Sequence, residues 1–191
     1  MASRSRIALF GGTFDPVHLG HIAMADAARK AFKLDWVHYL PCRISPHKLD
    51  QSPTPAEHRL EMLELATRNQ PWAVVNDVET LREGPSYSWM TAEAMREHMP
   101  ESQLFWIMGS DQWQALDRWN QPKRLAACVE FIVFHRGKDP EDREGYRLRP
   151  LPAVHPAKAT EIRESLAKGE TDQPWLDPKV ADYIRRNGLY A

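Results

Sequence analysis

The sequence lacks the features that mark secreted, membrane or nucleic-acid-binding proteins. Its 191 residues include two cysteines, Cys42 and Cys128. They are too few for a disulfide framework and lack the spacing of metal ligands. No apolar run is long enough for a signal-peptide core or a membrane span. The formal net charge is -1, so the chain has no overall positive field to attract nucleic acid.

These absences predict a protein of the reducing cytoplasm, with free thiols and with neither membrane nor nucleic acid as a partner. A chain of 191 residues suits one well-buried α/β domain and is short for two, since domains typically hold about 100–200 residues. We therefore expect a single domain over residues 1–191. Any binding of anionic ligands must come from local basic side chains and helix N-termini. The sequence does not indicate an oligomeric state.

Short apolar runs alternate with helical stretches along the chain. This alternation predicts an α/β, Rossmann-like fold, with a parallel sheet, right-handed crossovers and helices on both faces. The predicted strands are Ile7–Phe10, Trp36–Leu40, Trp72–Val75, Leu104–Met108 and Phe131–Phe134. The predicted helices cover 19–32, 55–68, 88–98, 111–125, 160–168 and 178–187. Ligands of such sheets bind at the carboxyl ends of the strands, so functional residues are expected in the loops that follow strands.

One such loop combines glycine with histidine. Residues 11–21 read Gly-Gly-Thr-Phe-Asp-Pro-Val-His-Leu-Gly-His, directly after the first predicted strand. Glycine lets the backbone approach an anion, and N–H groups at a helix start have no intrahelical partners. His18 and His21 are three residues apart, so both can face one ligand. The pattern indicates a phosphate site, although a plain strand-to-helix turn could use the same residues without a ligand.

The same stretch resembles the nucleotidyltransferase signature Gly-x-Phe-Asp-Pro-x-His-x-Gly-His, and its start is similar to that of the nicotinate-nucleotide adenylyltransferase family. The resemblance reaches the closing Val180-x-x-Tyr183-Ile184 and Gly188-Leu189-Tyr190. It implies a Rossmann-like fold and transfer of AMP from ATP to nicotinate mononucleotide, which gives deamido-NAD and pyrophosphate in NAD biosynthesis. ATP is then a co-substrate. Mg²⁺ would be held mainly by substrate phosphates and water, because no dense carboxylate cluster lies near these motifs.

The resemblance assigns roles to the first motif and to the loop after the second strand. Pro46-His47-Lys48 matches the family's Pro-His-Lys element, which taken alone is an ordinary solvated loop. By this resemblance the candidate catalytic residues are His18, His21 and Lys48. Candidate ATP-binding residues beside them are Gly11, Gly12, Thr13, Phe14 and His47.

Two further elements match the family around the fourth strand. Gly109-Ser110-Asp111 corresponds to the element that holds the adenosine ribose, although Asp111 could equally cap a helix. Trp119 corresponds to the tryptophan that stacks on the nicotinate ring. Ser88 ends the Ser86-Tyr87-Ser88 element and stands where the family has a threonine near the nicotinate carboxylate. Ser88 is also compatible with a helix-capping role.

The last element, Thr160-Glu161-Ile162-Arg163, resembles only the second half of the family's Ile-Ser-Ser-Thr-x-Ile-Arg, which opens a helix onto the ATP phosphates. Lys158 and Ala159 replace the two serines, so two small hydroxyls are missing. Lys158 could supply a point charge to phosphate or point into solvent. Lys158, Thr160 and Arg163 complete the candidate ATP-binding set, together with Gly109 and Asp111.

Three alternatives stay open on the sequence. The acceptor could be nicotinamide mononucleotide or phosphopantetheine, the second fitting the motifs less well. The chain could instead be a non-catalytic nucleotide-binding module, which the missing serines favour and the presence of His18, His21 and Lys48 opposes. The choice between acid and amide is open because backbone N–H groups of a loop could bind a carboxylate.

Overall fold

A six-stranded parallel sheet forms the centre of the computed structural model, which describes residues 4–46 and 52–191. The strand order is β3-β2-β1-β4-β5-β6. The strands are β1 (Arg6–Gly12), β2 (Trp36–Pro41), β3 (Ala73–Val75), β4 (Gln103–Gly109), β5 (Glu130–His135) and β6 (Leu148–Pro152). The predicted α/β, Rossmann-like fold is therefore confirmed.

Helices connect the strands and cover both faces of the sheet. They are α1 (Leu19–Phe32), α2 (Ala56–Thr67), α3 (Val78–Leu81), α4 (Ser88–His98), α5 (Ser110–Ala115), α6 (Pro122–Cys128), α7 (Ala159–Ala167) and α8 (Pro178–Arg186), with a 3₁₀ turn at Leu116–Arg118. In the part of the chain that the structure describes, no helix is both long and apolar enough to cross a membrane.

Alternation of side chains along the strands divides the core into two layers. Ala8 and Phe10 of β1 pack on one face with residues of α1, α2, α7 and α8. Ile7 and Leu9 pack on the other face with residues of α4, α5 and α6. The inner strands are apolar on both faces because helices cover both sides of a parallel sheet. This explains why short continuous apolar runs marked the strands in the sequence.

The predicted helix over 111–125 is wrong. The chain forms α5, the 3₁₀ turn and then α6, with Gln121 in the left-handed region at φ 49° between the turn and α6. Pro122 explains the break, because a proline lacks an N–H donor and disfavours helical geometry in the residue before it. The break turns residues 118–120 toward the carboxyl edge of the sheet.

Other differences concern short elements at the sheet edges. β6 and α3 were not predicted from the sequence, and β3 begins at Ala73 rather than at Trp72. Residues of β6 are half-buried or exposed and include two prolines, so the strand lacks the apolar run that marked the inner strands. The inner strands and the longer helices lie where they were predicted.

The order of the strands creates a crevice. β1 pairs with β2 on one side and with β4 on the other. The connections from β1 therefore leave in one direction and those from β4 in the other, which separates the loops at their carboxyl ends. Gly11 and Gly12 at the end of β1 and Gly109 at the end of β4 all border this crevice.

Candidate active site

One cleft with two lobes lies at the carboxyl ends of β1 and β4. Five residues border both lobes: Gly11, Gly12, Thr13, Ser45 and Gln112. The first lobe has a volume of about 460 Å³ and is also lined by Phe14, His21, Gly109, Thr160, Arg163 and Tyr190. The second lobe has a volume of about 560 Å³ and is also lined by Cys42, Glu79, Ser88, Asp111, Arg118 and Trp119. Both volumes lie in the usual range for small-molecule sites.

His21 presents its imidazole to the first lobe from the first turn of α1. Its Nδ1 accepts a hydrogen bond of 3.2 Å from the backbone N–H of His18. A neutral ring that accepts at Nδ1 carries its proton on Nε2. Burial, followed by the charge of His18, lowers the pKa of His21 well below its ordinary value. His21 is therefore a neutral N–H donor at the edge of the lobe.

His18 lies behind His21 and does not border the lobe. Their rings stack with centroids 3.7 Å apart, and His18 is only 7 % exposed. Burial, followed by the charge of His155, lowers the pKa of His18 to about 4. A Cβ on Gly20 would lie 2.9 Å from Nδ1 of His18. Glycine is thus required for this packing, and both imidazoles are uncharged at neutral pH.

Arg59 of α2 holds together the loops that follow β1 and β2. Its Nη1 donates to the carbonyl oxygens of Thr13 and Cys42 at 2.9 and 2.8 Å. Its Nε donates to the carbonyl of Thr54 at 2.7 Å. Only 1 % of Arg59 is exposed, and its hydrogen bond to the carbonyl of Cys42 is buried. The guanidinium fork fixes the shape of the glycine loop from beneath.

Asp15 accepts hydrogen bonds from three segments that are distant in sequence and meet at the first lobe. Arg163 Nη1 donates to its carbonyl oxygen at 2.7 Å, and the backbone N–H of Thr54 donates to Oδ2 at 3.1 Å. The hydroxyl of Tyr190 donates to Oδ1 at 2.5 Å. These contacts place Arg163, predicted from the sequence, beside Tyr190, to which the sequence analysis gave no role.

The end of β4 divides its predicted residues between the lobes. Gly109 borders the first lobe and Asp111 the second, with Gln112 shared by both. A Cβ on Gly109 would lie 2.6 Å from Oδ1 of Asp111, so the carboxylate sits closely over the backbone. The Gly109-Ser110-Asp111 element therefore lies at the junction of the two lobes.

The second lobe brings Ser88 and Trp119 together from two different elements. Its inner wall holds Glu79, which is 3 % exposed and accepts a hydrogen bond of 2.7 Å from Thr91. Burial raises the pKa of the Glu79 carboxyl. The Sγ of Cys42 lies 3.7 Å from Oγ1 of Thr13, and burial raises the pKa of this thiol. Cys42 is thus an unreactive wall residue.

Two residues named from the sequence and described by the structure, His18 and Lys158, do not border the cleft. Lys158 is exposed, borders neither lobe, and pairs with Glu161 at 2.7 Å. His47 and Lys48 lie outside the described residues. Among residues 4–46 and 52–191, no group of three or more histidine, cysteine, aspartate or glutamate side chains could hold a metal ion.

The cleft also contains residues that the sequence analysis did not identify. Gln112 and Arg118 carry no recognisable motif, and Glu79 is in an element that was not predicted. Tyr190 was visible only as part of the closing Gly-Leu-Tyr element. Arg59 lies inside the predicted helix over 55–68, and its burial became visible only in the structure.

Comparisons with known proteins connect this cleft to a family. The cytidylyltransferase-like sequence family matches residues 9–165. A curated relative, the nicotinate-nucleotide adenylyltransferase of Bacillus subtilis, is 35% identical over 186 residues, which are 97% of this chain and 98% of the relative. Two solved structures of the nicotinic acid mononucleotide adenylyltransferase of Plasmodium falciparum, complexed with NaAD and with APC, each cover 98% of both chains at 20% identity. Their TM-scores of 0.79 and 0.80 show a shared fold.

Proposed function

The chain belongs to the cytidylyltransferase-like family and, within it, to the nicotinate-nucleotide adenylyltransferases, and from this premise we propose that it transfers AMP from ATP to nicotinate mononucleotide. The products are deamido-NAD and pyrophosphate. The observation that carries the proposal is the two-lobed cleft, in which the glycine loop separates a lobe bordered by His21 and Arg163 from one bordered by Ser88 and Trp119. Two nucleotides could meet across that loop.

The reaction is a displacement at the α-phosphorus of ATP. An oxygen of the mononucleotide 5′-phosphate forms a bond to that phosphorus while the bond to the pyrophosphate oxygen breaks. The second pKa of a phosphate monoester is about 6, so the nucleophile is mostly ionised near neutral pH. The protein therefore needs no general base, and its contribution is to align two anions and to stabilise the charge that moves to pyrophosphate.

The first lobe is proposed to hold ATP. The backbone of Gly11, Gly12 and Thr13 borders both lobes and would shape the α-phosphate site, with Phe14 packed beneath His21. Nε2–H of His21 would donate to a phosphate oxygen, and His18 would hold the His21 ring in place. Thr160 and Arg163 would contact the outer phosphates from the start of α7. His47 and Lys48 remain predicted polyphosphate ligands in the same role.

The second lobe is proposed to hold the nicotinate nucleotide. Trp119 would stack on the pyridine ring, and Ser88 would lie near its carboxylate. Gly109 and Asp111, at the junction of the lobes, would contact the adenosine ribose. Lys158 is not included, because it borders neither lobe and pairs with Glu161 at an exposed position. The free thiols of Cys42 and Cys128 support a reducing, cytoplasmic setting.

Mg²⁺ would enter the site as part of the nucleotide substrate. The described residues offer no cluster of carboxylate, imidazole and thiolate ligands for a resident ion. Such an ion would be bound through phosphate oxygens and water, as Mg²⁺ commonly is in nucleotide sites. The alignment steps above depend only on the protein's own donors.

A pyrophosphate-release assay with ATP and Mg²⁺ tests the proposal. It compares nicotinate mononucleotide, nicotinamide mononucleotide and phosphopantetheine as acceptors at equal concentrations. We expect the highest kcat/KM with nicotinate mononucleotide and deamido-NAD as the product. Preference for another acceptor would assign a different substrate, and ATP binding without turnover on any acceptor would support the non-catalytic alternative.

A further inference from the structure

The second lobe has an unbalanced set of charged side chains. Two carboxyl groups, those of Glu79 and Asp111, border it, and among the described residues Arg118 is its one lysine or arginine. Glu79 is turned into the protein, where it accepts from Thr91. Without a cation, these carboxyl groups would repel an anionic substituent on a bound pyridine ring and would favour an uncharged one. Arg118 is therefore the group that makes the lobe suitable for an anion.

The Arg118 side chain has no hydrogen-bond or ion-pair partner among the described residues. It is exposed in the 3₁₀ turn and has no hydrogen bond or ion pair with any residue in 4–46 or 52–191. Neighbouring arginines are all engaged: Arg82 donates to Thr91 at 3.2 Å, Arg124 pairs with Glu93 at 2.6 Å, and Arg143 pairs with Asp117 at 2.7 Å. All five donors of Arg118 are free to bind a ligand.

A brace fixes the distance between the two walls of this lobe. Nε1 of Trp89, the residue after Ser88, donates to Oδ1 of Asn120 at 2.8 Å. The guanidinium of Arg124 lies 3.7 Å from the centre of the Trp89 ring. These contacts hold the start of α4 against the turn that carries Arg118 and Trp119. The turn forms because Pro122 interrupts the helix. As a result, Arg118 and Trp119 both border the second lobe.

From these observations we propose that Arg118 determines the specificity of the second lobe by pairing with the carboxylate of a pyridine ring stacked on Trp119. The inference rests on the proposed function and deepens it. A planar guanidinium can bind a carboxylate through two parallel hydrogen bonds, whereas a neutral carboxamide receives no comparable charge-assisted bond. Arg118 thus favours nicotinate mononucleotide over nicotinamide mononucleotide.

The test measures kcat/KM of the full-length protein for both mononucleotides at saturating ATP. The variants are Arg118→Leu, which removes the charge, and Arg118→Lys, which keeps the charge and loses the fork. Lys123→Leu is the matched control, since it removes an exposed cation from the next helix that does not border the lobe. The KM for ATP and the melting temperature are recorded for every variant.

We expect Arg118→Leu to lower kcat/KM for the acid about tenfold or more, in keeping with loss of a charge-assisted bond, and for the amide less than about twofold. Arg118→Lys should be intermediate and Lys123→Leu unchanged. An unchanged acid-to-amide ratio in Arg118→Leu would overturn the inference. Equal losses on both substrates would also overturn it, since both carry the same 5′-phosphate. If the wild-type protein makes no deamido-NAD, the proposed function itself fails.

Discussion

At the scale of single residues, His21 has two separable tasks. Its Nδ1 accepts the backbone N–H of His18, which secures the entry into α1. Its ring borders the first lobe, and Nε2–H is the ring donor that the bond at Nδ1 leaves for a phosphate oxygen. Because a low pKa keeps the ring neutral, it acts as an oriented donor and acquires positive charge only where a bound anion favours the proton. Structural and catalytic roles can thus be tested separately.

Asparagine and glutamine substitutions at His21 distinguish the two tasks. The amide of asparagine can replace the Nδ1 acceptor and cannot reach the Nε2 position, whereas glutamine can reach it. We expect His21→Asn to lower kcat by about 10²–10⁴-fold, the range for loss of a positioned stabiliser of transition-state charge, and to retain the fold. His21→Gln should recover part of the activity. Steady-state kinetics and circular dichroism check this, with the exposed His98→Gln as control. Full activity in His21→Asn would leave only the helix-entry role.

At the scale of elements, α2 supports a site that it does not enter. Arg59 reaches from this helix to carbonyl oxygens of the loops after β1 and β2. The glycine loop has few side-chain anchors of its own, so its shape depends on what binds its carbonyl groups. Removing a buried donor leaves its acceptors without a partner, and each such group costs about 1–3 kcal/mol.

We expect Arg59→Met to lower the free energy of unfolding by about 2 kcal/mol or more, since three carbonyls lose their donor and the one of Cys42 lies in a buried hydrogen bond. Arg59→Lys should lose less stability but still raise the KM for ATP, because one ammonium cannot reproduce the fork geometry. Urea unfolding and ATP kinetics measure both effects. The exposed Glu64→Gln on the same helix is the control. A lysine variant with wild-type kinetics would show that the fork does not shape the loop.

At the scale of the whole molecule, the first and last parts of the chain meet around α1. The backbone N–H of Leu19 donates to the carbonyl of Trp175 at 2.8 Å, and the Trp175 ring contacts His155 in a T-shaped arrangement with centroids 5.1 Å apart. His18 is buried beneath this junction, and the charge of His155 opposes its protonation. The junction therefore couples the folded state to pH.

The direction of that coupling follows from the lowered pKa of His18. The ordinary value of 6.5 falls to about 4 in the folded protein, so the unfolded chain binds a proton first as the pH falls. Stability from this group is complete above pH 6.5 and is lost as the pH falls toward 4. Between pH 7 and pH 5 the loss is about 2 kcal/mol.

Between pH 7 and pH 5, the wild type should lose about 2 kcal/mol of unfolding free energy through His18. We expect His18→Gln to lack this loss, so its unfolding free energy should fall by about 2 kcal/mol less over the same range. Urea titrations at both values measure the difference, in which contributions from the carboxylates cancel. His98→Gln, at an exposed position, should keep the wild-type slope. Equal slopes in His18→Gln and the wild type would contradict a neutral, buried His18.

Sequence alone determined the features that depend on neighbouring residues. Apolar runs marked the four inner strands because both of their faces are covered. The glycine-histidine motif was recognisable at the end of β1 because a turn and a helix start need adjacent residues. The family resemblance rested on the same local elements. The predicted helix over 111–125 is wrong because Pro122 interrupts the helical path.

Only the tertiary structure decided which distant groups meet at the cleft. Arg59 binds carbonyls of two other loops, Tyr190 reaches Asp15 from the end of the chain, and Arg118 faces a lobe that α4 closes from the other side. Such contacts depend on how the helices pack on the sheet, and no local pattern records that packing.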